Sequence, residues 1–76
     1  MSTEVLLPKL AFSMAEGKLV EWLVPDGGQA VEGQLLYTLE GEKSASDIES
    51  PATGTLKILK EPGETYGVGT LLAVIE

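Results

Sequence analysis

The segment VEWLVPDGGQAVEGQLLYTLE, residues 20–40, is echoed by LKILKEPGETYGVGTLLAVIE, residues 56–76. At this offset of 36 residues Leu23 meets Leu59, Gly27 meets Gly63, Gly33 meets Gly69, Leu35 meets Leu71, Leu36 meets Leu72 and Glu40 meets Glu76. Val20 and Trp22 fall on Leu56 and Ile58. One such unit is too small to bury its apolar face in water by itself. The halves are therefore expected to pack on each other about a pseudo-twofold axis.

Glycine and proline divide both halves into short pieces. Pro8, Gly17, Pro25, Gly27, Gly33, Gly41, Pro51, Gly54, Pro62, Gly63, Gly67 and Gly69 leave no room for helices of ordinary length. The apolar segments Val5–Leu7, Leu19–Val24, Leu35–Leu39, Leu56–Leu59 and Leu71–Ile75 have the length of strands. Several alternate, which puts Leu35, Tyr37 and Leu39 on one face and Leu56 and Ile58 on another. The chain reads as all-β: a flattened barrel or sandwich of two antiparallel sheets with internal pseudo-twofold symmetry. Asp26-Gly27-Gly28 and Pro62-Gly63-Glu64 read as matching turns. Trp22 reads as a packing residue, and Met14 as a soft core residue or a contact beside the lysine turn, with packing the favoured reading.

Composition narrows the chemistry. The chain of 76 residues makes one small domain, residues 1–76. It has no cysteine and no histidine, which removes disulfides, thiolate metal sites and the commonest general base. Nucleophilic triads and zinc hydrolysis are nearly excluded. The net charge of −7 repels nucleic acid and acidic membrane surfaces, so neither is expected as a partner. Five lysines and no arginine leave no guanidinium fork for phosphate. Residues 1–5 lack a basic region followed by an apolar core, so no signal peptide is visible, and the run Leu71–Ile75 is far too short to span a bilayer.

Lys43 falls just after the first repeat ends, where Gly41 and Glu42 give a turn composition between Tyr37–Glu40 and Ala45–Glu49. Taken alone, a lysine in such a turn is an ordinary solvated side chain. The repeat places this one at a hairpin tip, at one end of a two-sheet body, where an amine is open to a modifying enzyme and an attached group could swing.

The stretch Glu40-Gly41-Glu42-Lys43-Ser44, followed by Asp47-Ile48-Glu49-Ser50-Pro51 and Gly54, resembles the lipoyl-attachment motif of 2-oxo acid dehydrogenase complexes. In that family an acidic residue three before the lysine matches Glu40. A second just before it matches Glu42, a small residue after it matches Ser44, and a glycine eleven after it matches Gly54. Residues 7–22, with Met14, Glu16-Gly17 and Glu21-Trp22, resemble the opening of acyltransferase lipoyl domains. The likeness covers essentially the whole chain. Position 41 departs from the pattern, with Gly where Thr or Ser is usual.

The resemblance implies the biotinyl/lipoyl-carrier fold and a lipoyl group covalently attached to Lys43, serving as a swinging arm that carries acyl groups and electrons between active sites. It implies a non-catalytic carrier, part of a dihydrolipoyl acyltransferase serving a 2-oxo acid or acetoin dehydrogenase complex. The partners so implied are a lipoate ligase or lipoyl transferase, a thiamine-dependent decarboxylase, an acyltransferase core and dihydrolipoamide dehydrogenase. The implied location is the bacterial cytoplasm or the mitochondrial matrix. Beginning at Met1 and ending on a strand fits an excised N-terminal domain. Lysine amines titrate at about 10.4, so activation is expected to come from the modifying enzyme. Glu40, Glu42, Ser44, Gly54 and Phe12 are the candidate recognition residues. Phe12 stands in a surface loop where no packing pattern requires an aromatic. Two alternatives remain: a biotin carrier of a carboxylase, disfavoured because Glu42 and Ser44, not methionines, flank the lysine, and an unmodified β-sandwich interaction module.

Overall fold

Strand follows strand without a helix among the described residues, which in this computed structural model are 2–9, 13–41 and 44–76. The elements are β1 (Thr3–Leu6), β2 (Glu16–Trp22), β3 (Gln29–Ala30), β4 (Leu35–Glu40), β5 (Ala45–Glu49), β6 (Gly54–Ile58), β7 (Glu64–Gly67) and β8 (Leu71–Ile75). They form two four-stranded sheets, ordered β1-β8-β6-β3 and β5-β4-β2-β7, with every pairing antiparallel.

The two orders superpose on the repeat: β2 corresponds to β6, β4 to β8, β3 to β7 and β5 to β1. Each half thus lends its shortest strand to the other half's sheet, so neither can close a core alone. Backbone hydrogen bonds obey the same relation. Leu23 N–H donates to the Leu36 carbonyl at 2.9 Å, and Leu59 N–H donates to the Leu72 carbonyl at 3.0 Å. Gly27, Gly33, Gly63 and Gly69 all take φ between 81° and 91°, in two pairs at the repeat spacing. Only glycine enters that region at little cost, which is why the turns are legible.

Three bulges alter the expected faces. In β4, Leu35 pairs with Glu49 and Tyr37 with Ile48, leaving Leu36 as an extra residue. In β8, Leu72 is the extra residue between the partners of Val5 and Leu6. A bulge shifts the alternation by one, so Leu36 and Tyr37 are both buried, as are Leu72 and Ala73. Leu35, expected to share one face with Tyr37 and Leu39, is instead 48% exposed while they are buried. The third bulge, at Val20 in β2, makes Leu19 rather than Val20 the counterpart of Leu56: Leu19 pairs with Leu39 and Leu56 with Ile75. Leu19 and Leu56 are fully buried while Val20 is exposed.

Leu19, Leu36, Leu39, Leu56, Leu72 and Ile75 form the centre of the core. Each such side chain contributes about 1.5–3 kcal/mol when withdrawn from water. Trp22 is half-buried against this cluster; its indole N–H donates to the Lys60 carbonyl at 3.1 Å, and its ring lies 5.2 Å from that of Tyr37. Tyr37 occupies the position that Ala73 holds in the other half. Its hydroxyl has no hydrogen-bond partner among the described residues, and burial pushes its pKa up to about 12. Its ring helps to line a mostly apolar groove of about 250 Å³ between β1 and β5.

The first strand carries its own repeat, at a different offset. Thr3 pairs with Ile75 as Ser46 pairs with Leu39. Leu7-Pro8 corresponds to Ser50-Pro51: Leu7 N–H donates to the Thr70 carbonyl, and Ser50 N–H to the Gln34 carbonyl. The connection from β1 to β2 spans residues 7–15, whereas that from β5 to β6 spans only 50–53. This extra length is the main departure from twofold symmetry.

Candidate functional site: the lysine turn

β4 ends and β5 begins as an antiparallel pair, with Glu40 opposite Ala45. Beyond them the Gly41 N–H donates to the Ser44 carbonyl at 2.9 Å. That bond leaves positions 42 and 43 as the two residues of sequence between the bonded partners, the shortest common hairpin connection. Glu42 and Lys43 themselves lie outside the described residues, as do Leu10, Ala11 and Phe12. Glu40 and Ser44 are exposed and Gly41 is half-buried. Gly41 does not have positive φ, and a Cβ there would lie 3.7 Å from the Ser44 carbonyl oxygen. The glycine that departs from the family pattern is therefore not demanded by the turn.

Glu40 also lies opposite Lys18 of β2, and Lys18 lies opposite Thr65 of β7. These residues, with Glu16, Gly17 and Gly41, line a cleft of about 220 Å³ beside the turn. Among the described residues no group of three or more carboxylates is arranged to hold a metal ion. Among the described residues the site offers two exposed flanks, Glu40 and Ser44, an acidic margin and no catalytic constellation.

Of the sequence candidates, the structure brings Glu40 and Ser44 together at the turn. Gly54 stands elsewhere. β5 carries the chain away from the turn to Glu49, roughly 14 Å at the usual rise per residue, and Gly54 opens β6 at that far end. There a Cβ on Gly54 would collide with the carbonyl oxygen of Glu76, so this glycine has a packing reason. Met14, for which sequence reading favoured packing over a contact beside the turn, and Gly17, read only as a break in the chain, meet near the turn. Met14 is 3% exposed, and its methyl Cε sits 2.6 Å from where a Cβ on Gly17 would be. A glycine inside an alternating strand was the available signal, because it marks a close approach.

Residues 3–75 match the sequence model of the Biotin_lipoyl family, described as "Biotin-requiring enzyme". The chain is 37% identical over 70 residues to a dihydrolipoyllysine-residue acetyltransferase component of an acetoin cleaving system from Pseudomonas putida, covering 91% of this chain and 19% of that protein. It is 38% identical over 77 residues to the dihydrolipoyllysine-residue acetyltransferase component of the pyruvate dehydrogenase complex of Zymomonas mobilis, covering 99% of this chain and 18% of the relative. With the succinyltransferase component of the 2-oxoglutarate dehydrogenase complex of Bacillus subtilis it shares 33% identity over 73 residues, covering 95% and 18%. The chain thus spans less than a fifth of the length of these relatives. With its two exchanged antiparallel sheets and its lysine-bearing connection, the chain belongs to the Biotin_lipoyl family, and within it is a lipoyl-type carrier domain rather than a catalytic acyltransferase domain.

Proposed function

We propose that Lys43 carries a covalently attached lipoyl group and that the domain presents it as a swinging arm within a 2-oxo acid or acetoin dehydrogenase complex. The observation that carries this reading is the base of the turn: the Gly41 N–H donates to the Ser44 carbonyl, Glu40 and Ser44 are exposed, and Lys43 lies between the bonded partners in sequence. Glu40 and Ser44 supply the margin that a lipoate ligase or lipoyl transferase would meet. When attached, the group supplies a disulfide able to accept an acyl unit and two electrons. The chain's own part is to hold the lysine at the edge of a rigid body and to be recognised. Tethering then replaces free diffusion by a high local concentration.

The relatives' names divide among pyruvate, 2-oxoglutarate and acetoin systems at similar identity. What this chain shares with all three is the carrier and not the acyl group. Accordingly the partners proposed are the thiamine-dependent decarboxylase, the acyltransferase core and dihydrolipoamide dehydrogenase of one such complex. Phe12 and the turn residues Glu42 and Ser44 are proposed as the surface read by the decarboxylase.

The test is co-expression with a lipoate ligase, followed by intact mass and peptide mapping. One lipoyl group on Lys43 is expected, with none on Lys9, Lys18, Lys57 or Lys60, and Lys43→Gln should abolish modification without unfolding the domain. Lipoate on another lysine would sink the assignment. A streptavidin-positive product would replace it with the biotin carrier.

A further inference from the structure

Gly17 is the second residue of β2 and does not have positive φ, so its backbone does not require glycine. Space does. A Cβ at Gly17 would stand 2.6 Å from Met14 Cε and 3.1 Å from Leu39 Cδ1. The sulfur of the same methionine reaches the turn, since a Cβ at Gly41 would lie 4.0 Å from Met14 Sδ. The thioether is thus seated between Gly17 at the start of β2 and Gly41 just past the end of β4. Met14 itself belongs to the connection 7–15, the long one that breaks the symmetry.

The opposite pole provides a control within the same molecule. Gly54 is the counterpart of Gly17, with Thr55 and Glu76 exchanging hydrogen bonds where Lys18 faces Glu40. The close neighbours of Gly54 are the Glu76 carbonyl and Ile75 Cγ2, both from β8 and its end. The three atoms nearest to a Cβ on Gly54 all come from Ile75 and Glu76, whereas the nearest atom at Gly17 comes from Met14 of the connection.

We infer that Met14 is a positioning residue for the lysine turn: its thioether, held between Gly17 and Gly41, ties the β1–β2 connection to the base of the turn, so that an enzyme acylating Lys43 meets both at a fixed relative position. This rests on the lipoyl-lysine reading. The reaction concerned is an acyl transfer, in which the neutral amine attacks an activated lipoyl carboxyl supplied by the ligase. A C–N bond forms, the bond to the activating group breaks, that group leaves, and the amine gives up a proton. Displacing a reacting group by about 1 Å can cost on the order of a hundredfold, so a loosened base should register in rate.

The experiment compares the parent with Met14→Ala, Met14→Leu, Gly17→Ala and the opposite-pole variant Ile75→Ala. Lipoylation by a lipoate ligase is measured as kcat and KM at a temperature where each variant is folded. Exchange of the Gly41 amide, which is bonded to Ser44, is followed by NMR. Met14→Ala is expected to lower kcat/KM about tenfold or more and to speed Gly41 exchange by a similar factor. Gly17→Ala, which displaces the flexible methyl end of Met14, should act in the same direction and provides the reading if Met14→Ala does not fold. Met14→Leu should restore most of the parent value, and Ile75→Ala should lower Tm while leaving kcat/KM within about twofold. Equal losses for Met14→Ala and Ile75→Ala would overturn the inference, since Met14 would then be core and nothing more. So would unchanged Gly41 exchange. If the parent itself is not lipoylated, the functional proposal fails, and Gly41 exchange alone decides whether Met14 holds the turn.

Discussion

Raising the pH should weaken the fold through Tyr37 in a window that can be stated in advance. The ring is 1% exposed, its hydroxyl has no partner among the described residues, and burial lifts its pKa to about 12 from the ordinary value of 10.0. An acid whose folded pKa is raised binds its proton more tightly when folded. Its contribution is complete below pH 10 and is lost as pH climbs through 12. The loss works out at about 1.4 kcal/mol at pH 11 and approaches roughly 2.7 kcal/mol above pH 12. The pKa of the Tyr66 hydroxyl is also raised, by burial and by the neighbouring Glu64, so the assay must be differential. Urea unfolding of the parent and of Tyr37→Phe can be compared from pH 7 to 11. Trp22 fluorescence is the probe, since the two rings are 5.2 Å apart. Phe cannot ionise, so the parent-minus-variant difference should be nearly constant to pH 9 and should fall by about 1.4 kcal/mol by pH 11. A difference flat to within about 0.3 kcal/mol would mean that the phenol is solvated in the folded state and that the groove between β1 and β5 reaches it freely.

Three further outcomes follow from the packing. Trp22→Ala should destabilise by about 2–3 kcal/mol in urea melts, because half the ring's contacts and the bond to the Lys60 carbonyl are lost together. Gly54→Ala should cost about 1–3 kcal/mol because the Glu76 carbonyl must move, whereas Gly41→Ala, with ordinary clearance, should be neutral or stabilising by up to about 1 kcal/mol. Phe12→Ala should slow reductive acylation by the cognate decarboxylase at subsaturating domain concentration while leaving lipoylation of Lys43 intact; equal acylation rates would remove Phe12 from the recognition surface.

The 36-residue echo was enough to read two interlocked halves, because paired glycines at identical spacing are hard to explain except as paired turns. Gly27 and Gly63 stand in the matching turns read from the spacing, and Gly33 and Gly69, matched in the repeat, share their positive φ. Alternation was a poorer guide to the faces of β2 and β4. A bulge adds one residue and reverses every side chain beyond it, and nothing in Leu35-Leu36-Tyr37 says which leucine will be the extra one. The match of Leu7-Pro8 to Ser50-Pro51 is hidden in the sequence because the longer connection changes the offset and only the proline is shared. At the site, turn composition sufficed to find a hairpin between Glu40 and Ala45. A place for Met14 in the core or beside the turn could be read, but not that Gly17 and Gly41 seat it, since they lie in separate parts of the chain that meet only after the sheets pair.

The meeting of the two chain ends has a mechanical meaning. Thr3 lies opposite Ile75, so a pull on both ends loads β1 against its neighbour β8 in the manner of a zipper, one hydrogen bond at a time. Such peeling yields at lower force than sliding two strands past each other, in which all bonds share the load. The β4–β5 hairpin belongs to the other sheet and lies off that line of tension. Strain on the ends would therefore be spent on stripping β1 before it reached the turn that bears Lys43.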